Sequence, residues 1–115
     1  MWRIAHYLGA SGSYPAARDL FQLIAEASRN DDARGPEHPD TLAARFKLAS
    51  YTGYAGDAAG ARDQYAALLP TRERVSGPDG PETLSDRGDL ALWTGRAGDA
   101  ARARDKTAAM WERVT

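Results

Sequence analysis

His6 and His38 are the only imidazoles in the chain. One falls in a helical pattern and the other in a linker, so they share no metal-ligand spacing. Asp31 and Asp32 place two carboxylates side by side, a type that serves metal binding or acid–base work. They sit in a polar linker, which gives neither rigid geometry nor the burial needed to tune a pKa. No glycine-rich loop followed by Lys and Ser/Thr is present to cradle a nucleotide phosphate. Cysteine is absent, which removes thiolate ligands and disulfides and accords with a reducing compartment. No nucleophile, base and orienting group emerge as a set. The residues therefore predict a chain that is not an enzyme and takes neither metal nor cofactor. Its aromatic residues point elsewhere. Phe46, Ser50 and Tyr54 are spaced by four and fall off the core stripe, on one face of a helix. Phe46 and Tyr54 are of the type that anchors binding interfaces, unless Phe46 packs against the neighbouring hairpin.

The elements that carry these residues repeat. Arg45-Phe46-Lys47-Leu48-Ala49-Ser50-Tyr51-Thr52-Gly53 is echoed 42 positions later by Arg87-Gly88-Asp89-Leu90-Ala91-Leu92-Trp93-Thr94-Gly95. The linker Gly35-Pro36-Glu37-His38-Pro39-Asp40-Thr41-Leu42 recurs as Gly77-Pro78-Asp79-Gly80-Pro81-Glu82-Thr83-Leu84. A weaker copy fills the first 34 residues, giving repeats over 1–34, 35–76 and 77–115 of a single domain. A period of this length predicts a helical solenoid, in which each unit buries its apolar face against the next.

The spacing predicts six helices in three hairpins. The first pair covers Trp2 to Ala10 and Tyr14 to Arg29. The second covers Pro39 to Ala55 and Ala58 to Arg74, and the third Pro81 to Ala97 and Ala100 to Val114. Ser13, Asp57 and Asp99 are the expected N-caps of the second helices. Gly56 and Gly98 suit the turns before them. Pro15, Pro39 and Pro81 fit first turns. Pro70 lies inside a predicted helix, where it removes a hydrogen bond, so a kink or an early end is expected there. Leu42, Leu48, Ala49 and Thr52 face Ala61, Tyr65, Leu68 and Leu69 in the middle copy. Ile4, Ala5, Leu8, Ala17, Phe21 and Ile24 hold the matching places in the first copy. Leu84, Leu90, Ala91, Ala103 and Met110 do so in the third. Tyr51 and Trp93 are expected to pack between repeats. The pairs Arg18-Asp19, Arg62-Asp63 and Arg104-Asp105 recur at one repeat position and suggest contacts between hairpins. Arg72-Glu73-Arg74 reads as a solvated charged face.

Composition narrows the partners. The formal charge is -1 with acids and bases interspersed, which excludes the basic footprint of a nucleic-acid binder. No apolar run reaches membrane-spanning length, and the first residues lack the apolar stretch of a signal peptide. The expected compartment is the cytoplasm.

These residues resemble the tetratricopeptide repeat family, in its 42-residue kinesin-light-chain-like form. The small residue of the first helix is matched by Ala5, Ala49 and Ala91. The glycine between helices is matched by Gly12, Gly56 and Gly98, and the alanine of the second helix by Ala17, Ala61 and Ala103. The aromatic that follows is matched by Phe21 and Tyr65, but the third copy has Thr107. The wording from Tyr51 to Asp63 is close to repeats of actinobacterial proteins, which often sit behind an NTPase of the STAND or NB-ARC type. The resemblance implies a right-handed α-solenoid of three hairpins that binds a protein or peptide. It places the groove on the first helix of each hairpin, at Trp2, His6, Gly9 and Ala10, at Ala43, Phe46, Ser50, Gly53 and Tyr54, and at Ser85, Gly88, Leu92, Gly95 and Arg96. Arg96 would receive a carboxylate or a carbonyl of the ligand, or remain a solvated side chain.

The first copy starts inside its first helix, and the last stops before another Gly-Pro linker. The chain therefore reads either as a fragment of a longer array or as a short repeat protein that closes its ends by oligomerising. The second reading makes a self-assembling module, a dimer or a head-to-tail oligomer, with Trp2, Trp111 and Val114 at the assembly edge.

Overall fold

A computed structural model describes residues 1–114 as five helices joined by short linkers: α1 (Trp2–Ala10), α2 (Tyr14–Arg29), α3 (Pro39–Tyr54), α4 (Ala58–Ser76) and α5 (Pro81–Val114). Each helix packs on the next in chain order, giving an all-α, solenoid-like arrangement with extents of 60 × 32 × 22 Å. The side chains of Arg113 and Val114, and all of Thr115, lie outside the described part, and the expectation for the Val114 side chain lies there with them.

The repeated linker is a repeated conformation. Gly35 and Gly77 take φ values of +83° and +81°, the left-handed region in which a Cβ is unfavourable. Six residues on, a threonine hydroxyl donates back to the glycine carbonyl, Thr41 to Gly35 at 2.6 Å and Thr83 to Gly77 at 2.7 Å. Both threonines are fully buried, and these bonds satisfy hydroxyls that would otherwise be costly to desolvate. Thr41 also pairs with the buried Ser28 hydroxyl at 2.6 Å, which ties the end of α2 to the start of α3. His38 caps α3 by accepting the Asp40 amide at its Nδ1, 3.1 Å away.

Two hairpins close as expected. The α3–α4 turn is made by Gly56, at φ +107°, and Asp57, whose carboxylate accepts the Gly60 amide at 2.8 Å. Leu42, Ala49, Ala61, Tyr65 and Leu68 are buried where the two helices meet their neighbours. The crossing alanines leave no room for a larger side chain, and overpacking there costs about 1–3 kcal/mol. Ala5, Ala17 and Phe21 bury the first hairpin, although Ile4 is 59% exposed. Ser13 holds the cap position of α2 without a side-chain cap bond. Pro70 does not end α4, which runs six residues past it.

The third hairpin does not close. α5 is one helix of 34 residues, and Gly98 and Asp99 lie inside it rather than in a turn. The reason lies in what the third copy has lost. Asp99 pairs with Arg102 along the helix instead of capping a new one. The stretch Ala100-Ala101-Arg102-Ala103-Arg104 also favours helix strongly. The hairpin's packing is poorer as well: Thr107 stands for Tyr65 and Gly88 for Phe46. The core expected of Leu84, Ala91, Ala103 and Met110 is consequently exposed, and Leu90 is half-buried.

Candidate functional site

Of the candidate groove positions, Trp2, Ala43, Phe46 and Ser85 line two adjoining clefts, and the others lie outside both. The first, about 510 Å³, lies where α1, α2 and α3 meet and includes Trp2, Ile24, Ser28, Asp31, Arg34 and Ala43 in its wall. The second, about 460 Å³, lies between α3 and α5 and is lined by Ala43, Phe46, Lys47, Ser85, Arg72 and Asp86 among others. Ala43 belongs to both. Helices α3 and α5 therefore present Ala43, Phe46 and Ser85 to one cavity.

Several predicted site residues serve packing instead. Phe46 is half-buried, its ring edge-on to Tyr65 with centroids 5.6 Å apart, so it packs and lines the cleft at once. Ser50 is hydrogen-bonded to the Tyr65 hydroxyl, which removes it from a free groove surface. Burial raises the Tyr65 pKa, keeping that hydroxyl neutral. Tyr54 is half exposed and joins a row of rings with Tyr14, Tyr51 and Trp93 at 5.4–6.1 Å. Gly53 is not a groove residue. It is buried beneath Trp93, whose ring would lie 2.5 Å from a Cβ there, and Gly9 receives Tyr51 in the same way. Tyr51 and Trp93 are thus packed between repeats, as their position suggested. Trp2 is edge-on to Phe21 at 5.1 Å and tilted against His6 at 5.3 Å. Leu92 is exposed, and the Arg96 guanidinium lies 4.8 Å from the centre of the Trp93 ring, its charge facing solvent. Trp111 is largely exposed on the outer part of α5.

The charged run on α4 is not a solvated face. Arg72 is buried, and its Nε donates to Asp86 Oδ2 at 2.8 Å across to α5. Glu73 pairs with Arg87 at 3.1 Å, and Arg74 pairs with Glu37 of the preceding linker. The three residues stitch α4 to its two neighbours. By contrast, Arg18 and Arg62 each pair with the adjacent aspartate of their own helix at 3.0–3.1 Å, not with another hairpin. Such exposed pairs contribute about 0–1 kcal/mol. The partner of Arg72 lies fourteen residues on in sequence, at no local spacing that would reveal it.

Burial lifts the Asp86 carboxyl above the ordinary range, outweighing the hydrogen bond and charge of Arg72 that pull it down. Asp89, one turn on, is raised by burial first and by the charge of Asp86 second. A raised carboxyl binds its proton more readily in the folded chain than in the unfolded one. The linked stability is therefore gained as pH falls through the interval between the ordinary value, about 3.9, and the raised one. It is lost as pH rises through that interval. Asp89→Asn is expected to flatten this slope, as read from denaturant midpoints across the acid range. Parallel pH profiles for the two chains would count against it.

Among the described residues, no cluster of three His, Asp or Glu side chains could hold a metal ion. No helix there is long and apolar enough to cross a membrane. Asp31 accepts the Ala33 amide at 2.7 Å, a turn contact within the linker. Comparison with protein-family models, with curated proteins and with solved structures gives no match.

Proposed function

We propose that the chain is a non-enzymatic scaffold of the tetratricopeptide type that binds a protein or peptide along the first helices of its repeats. The observation that carries this reading is the pair of adjoining clefts sharing Ala43, with Phe46 and Ser85 on facing helices. Their combined volume suits a short run of side chains from an extended or helical segment. The walls mix apolar surface with Lys47 and Glu82 at the second cleft, which fits a partner of mixed character. The proposed setting is the cytoplasm, as a regulatory or sensing module.

The test is a peptide-array screen followed by titration of the peptides that bind. Phe46→Ala in the cleft, and Tyr54→Ala two turns further along α3 where the bound segment runs past it, are expected to weaken binding by about tenfold or more, as anchor residues do. Phe46 also packs on Tyr65, so a third variant separates binding from folding. Ser85 is exposed at the cleft wall, and Ser85→Trp fills the cavity without entering the core. It is expected to abolish binding while leaving the thermal midpoint unchanged. Unaltered affinity in all three variants would overturn the groove assignment.

A further inference from the structure

The outer half of α5 and the face it leaves uncovered are two halves of an interface that the chain already builds once. Shifted by 42 positions, the α3–α4 pair maps onto residues 81–97 and 100–114 of α5. In the closed hairpin Leu42 is 1% exposed and Leu68 is fully buried. Their counterparts Leu84 and Met110 are 52% and 66% exposed. Ala49 and Ala61 are fully buried in one cluster, whereas Ala91 and Ala103 are both exposed. From Asp99 to Glu112 every described side chain is exposed except the half-covered Ala101. Both surfaces of the missing contact are thus present and open.

The conformation of α5 excludes self-coverage. A continuous helix carries residues 100–114 away from residues 81–97 of the same chain, over a total of about 50 Å at 1.5 Å per residue. A second copy in the same conformation meets no such obstacle. Two α5 helices laid antiparallel about Ala97 and Gly98 place each outer half on the inner half of the other. The centre of a helix spanning 81–114 falls between those two small residues. The same register sets Asp89, which has no ion-pair partner among the described residues, opposite Lys106 of the other copy. A methyl group at Gly95 or Gly98 would meet nothing within 4 Å, so nothing in the isolated helix packs closely on either. A close helix crossing at that point would use both.

We infer that residues 100–114 form an exchange arm: two chains swap their outer α5 halves, each arm covering residues 81–97 of the other copy. The inference goes beyond groove binding and specifies the interface of a self-assembling chain. Its energetic basis is that the exchanged contact repeats the closed hairpin without a turn in either α5. Neither chain alters its helix to associate.

The chain lacks cysteine, so single introduced thiols report contacts cleanly. Ala91→Cys and Ala103→Cys chains are mixed at raised concentration, diluted, and oxidised mildly, with mass followed by light scattering. Exchange predicts a concentration-dependent dimer and a disulfide between the two different chains, far exceeding that formed by either variant alone. Ala100→Pro sets a proline at a permitted first-turn position of a closed hairpin but inside a continuous helix, favouring the turn by about a hundredfold per chain. It is expected to reduce the dimer and yield a monomer. A monomer at all concentrations overturns the inference, as does a dimer that forms no such link. An intrachain disulfide in a monomeric Ala91→Cys/Ala103→Cys chain overturns it in favour of a closed third hairpin. A dimer unchanged by Ala100→Pro overturns it too. None of these outcomes depends on the groove, which the Tyr54, Phe46 and Ser85 variants test separately.

Discussion

Asp86→Ala is expected to destabilise the chain by about 3–5 kcal/mol, read as a lower denaturant midpoint at neutral pH. Asp86 is 1% exposed and Arg72 only 8%, with Nε and Oδ2 2.8 Å apart. Removing the carboxylate leaves a guanidinium desolvated with no counter-ion, and that uncompensated charge, more than the lost hydrogen bond, sets the size of the effect. The pair itself contributes much less than this figure. Asp86 Oδ1 is buried with no hydrogen-bond partner, and burial outweighs the pull of Arg72 on its proton. The double variant Arg72→Met/Asp86→Leu removes both charges and keeps the volume, so it is expected to fold with stability near that of the parent chain. A loss below about 1 kcal/mol in Asp86→Ala would mean that water reaches Arg72 once the carboxylate is gone. A double variant as unstable as the single would mean that the pair is a net stabiliser of the α4–α5 contact.

Features that recur at one spacing were legible in the amino-acid sequence, because recurrence marks a local rule. The linker glycines, the recurring Thr41 and Thr83, and the cap at Asp57 each follow from residues within a few positions of one another. The third hairpin was misread for the same reason. Its Gly98-Asp99 pair copies Gly56-Asp57, but the aromatic contact that packs the closed hairpin, Phe46 on Tyr65, is replaced by Gly88 and Thr107. The turn signal was copied without the packing that holds a hairpin shut, and the helix runs on through it. The Arg72–Asp86 pair was invisible because its geometry arises only when α4 and α5 cross. At the candidate site, Ala43, Phe46 and Ser85 do come together around one cavity. Ser50 and Gly53 are lost from it because a helix has no single inward face in a stacked array. One side meets the partner within the hairpin, as Ser50 meets Tyr65, and another meets the next repeat, as Gly53 meets Trp93.

Trp93→Ala is expected to cost a further about 3–5 kcal/mol, the range for truncating a large buried aromatic. Trp93 is 3% exposed and belongs to the cluster of Ala49, Ala61 and Tyr65, so it joins α5 to both helices of the preceding hairpin. Its ring lies against the bare backbone of Gly53, and the contact has no slack. Gly53→Ala therefore places a methyl group into the ring. The ring, held by the cluster and by Tyr54, cannot yield freely, and a loss of about 1–3 kcal/mol is expected despite the better helix propensity of alanine. Gly95 holds the equivalent place in the next repeat, where a methyl group would meet nothing within 4 Å. In dilute solution Gly95→Ala is expected to stabilise the chain by about 1 kcal/mol. The same substitution at equivalent positions thus changes sign according to whether an aromatic ring from the following repeat is present. Thermal or denaturant midpoints of the three variants, measured on dilute protein, check the ordering. If Gly53→Ala and Gly95→Ala shift stability alike, the packing of Trp93 on Gly53 is not what holds the second and third repeats together.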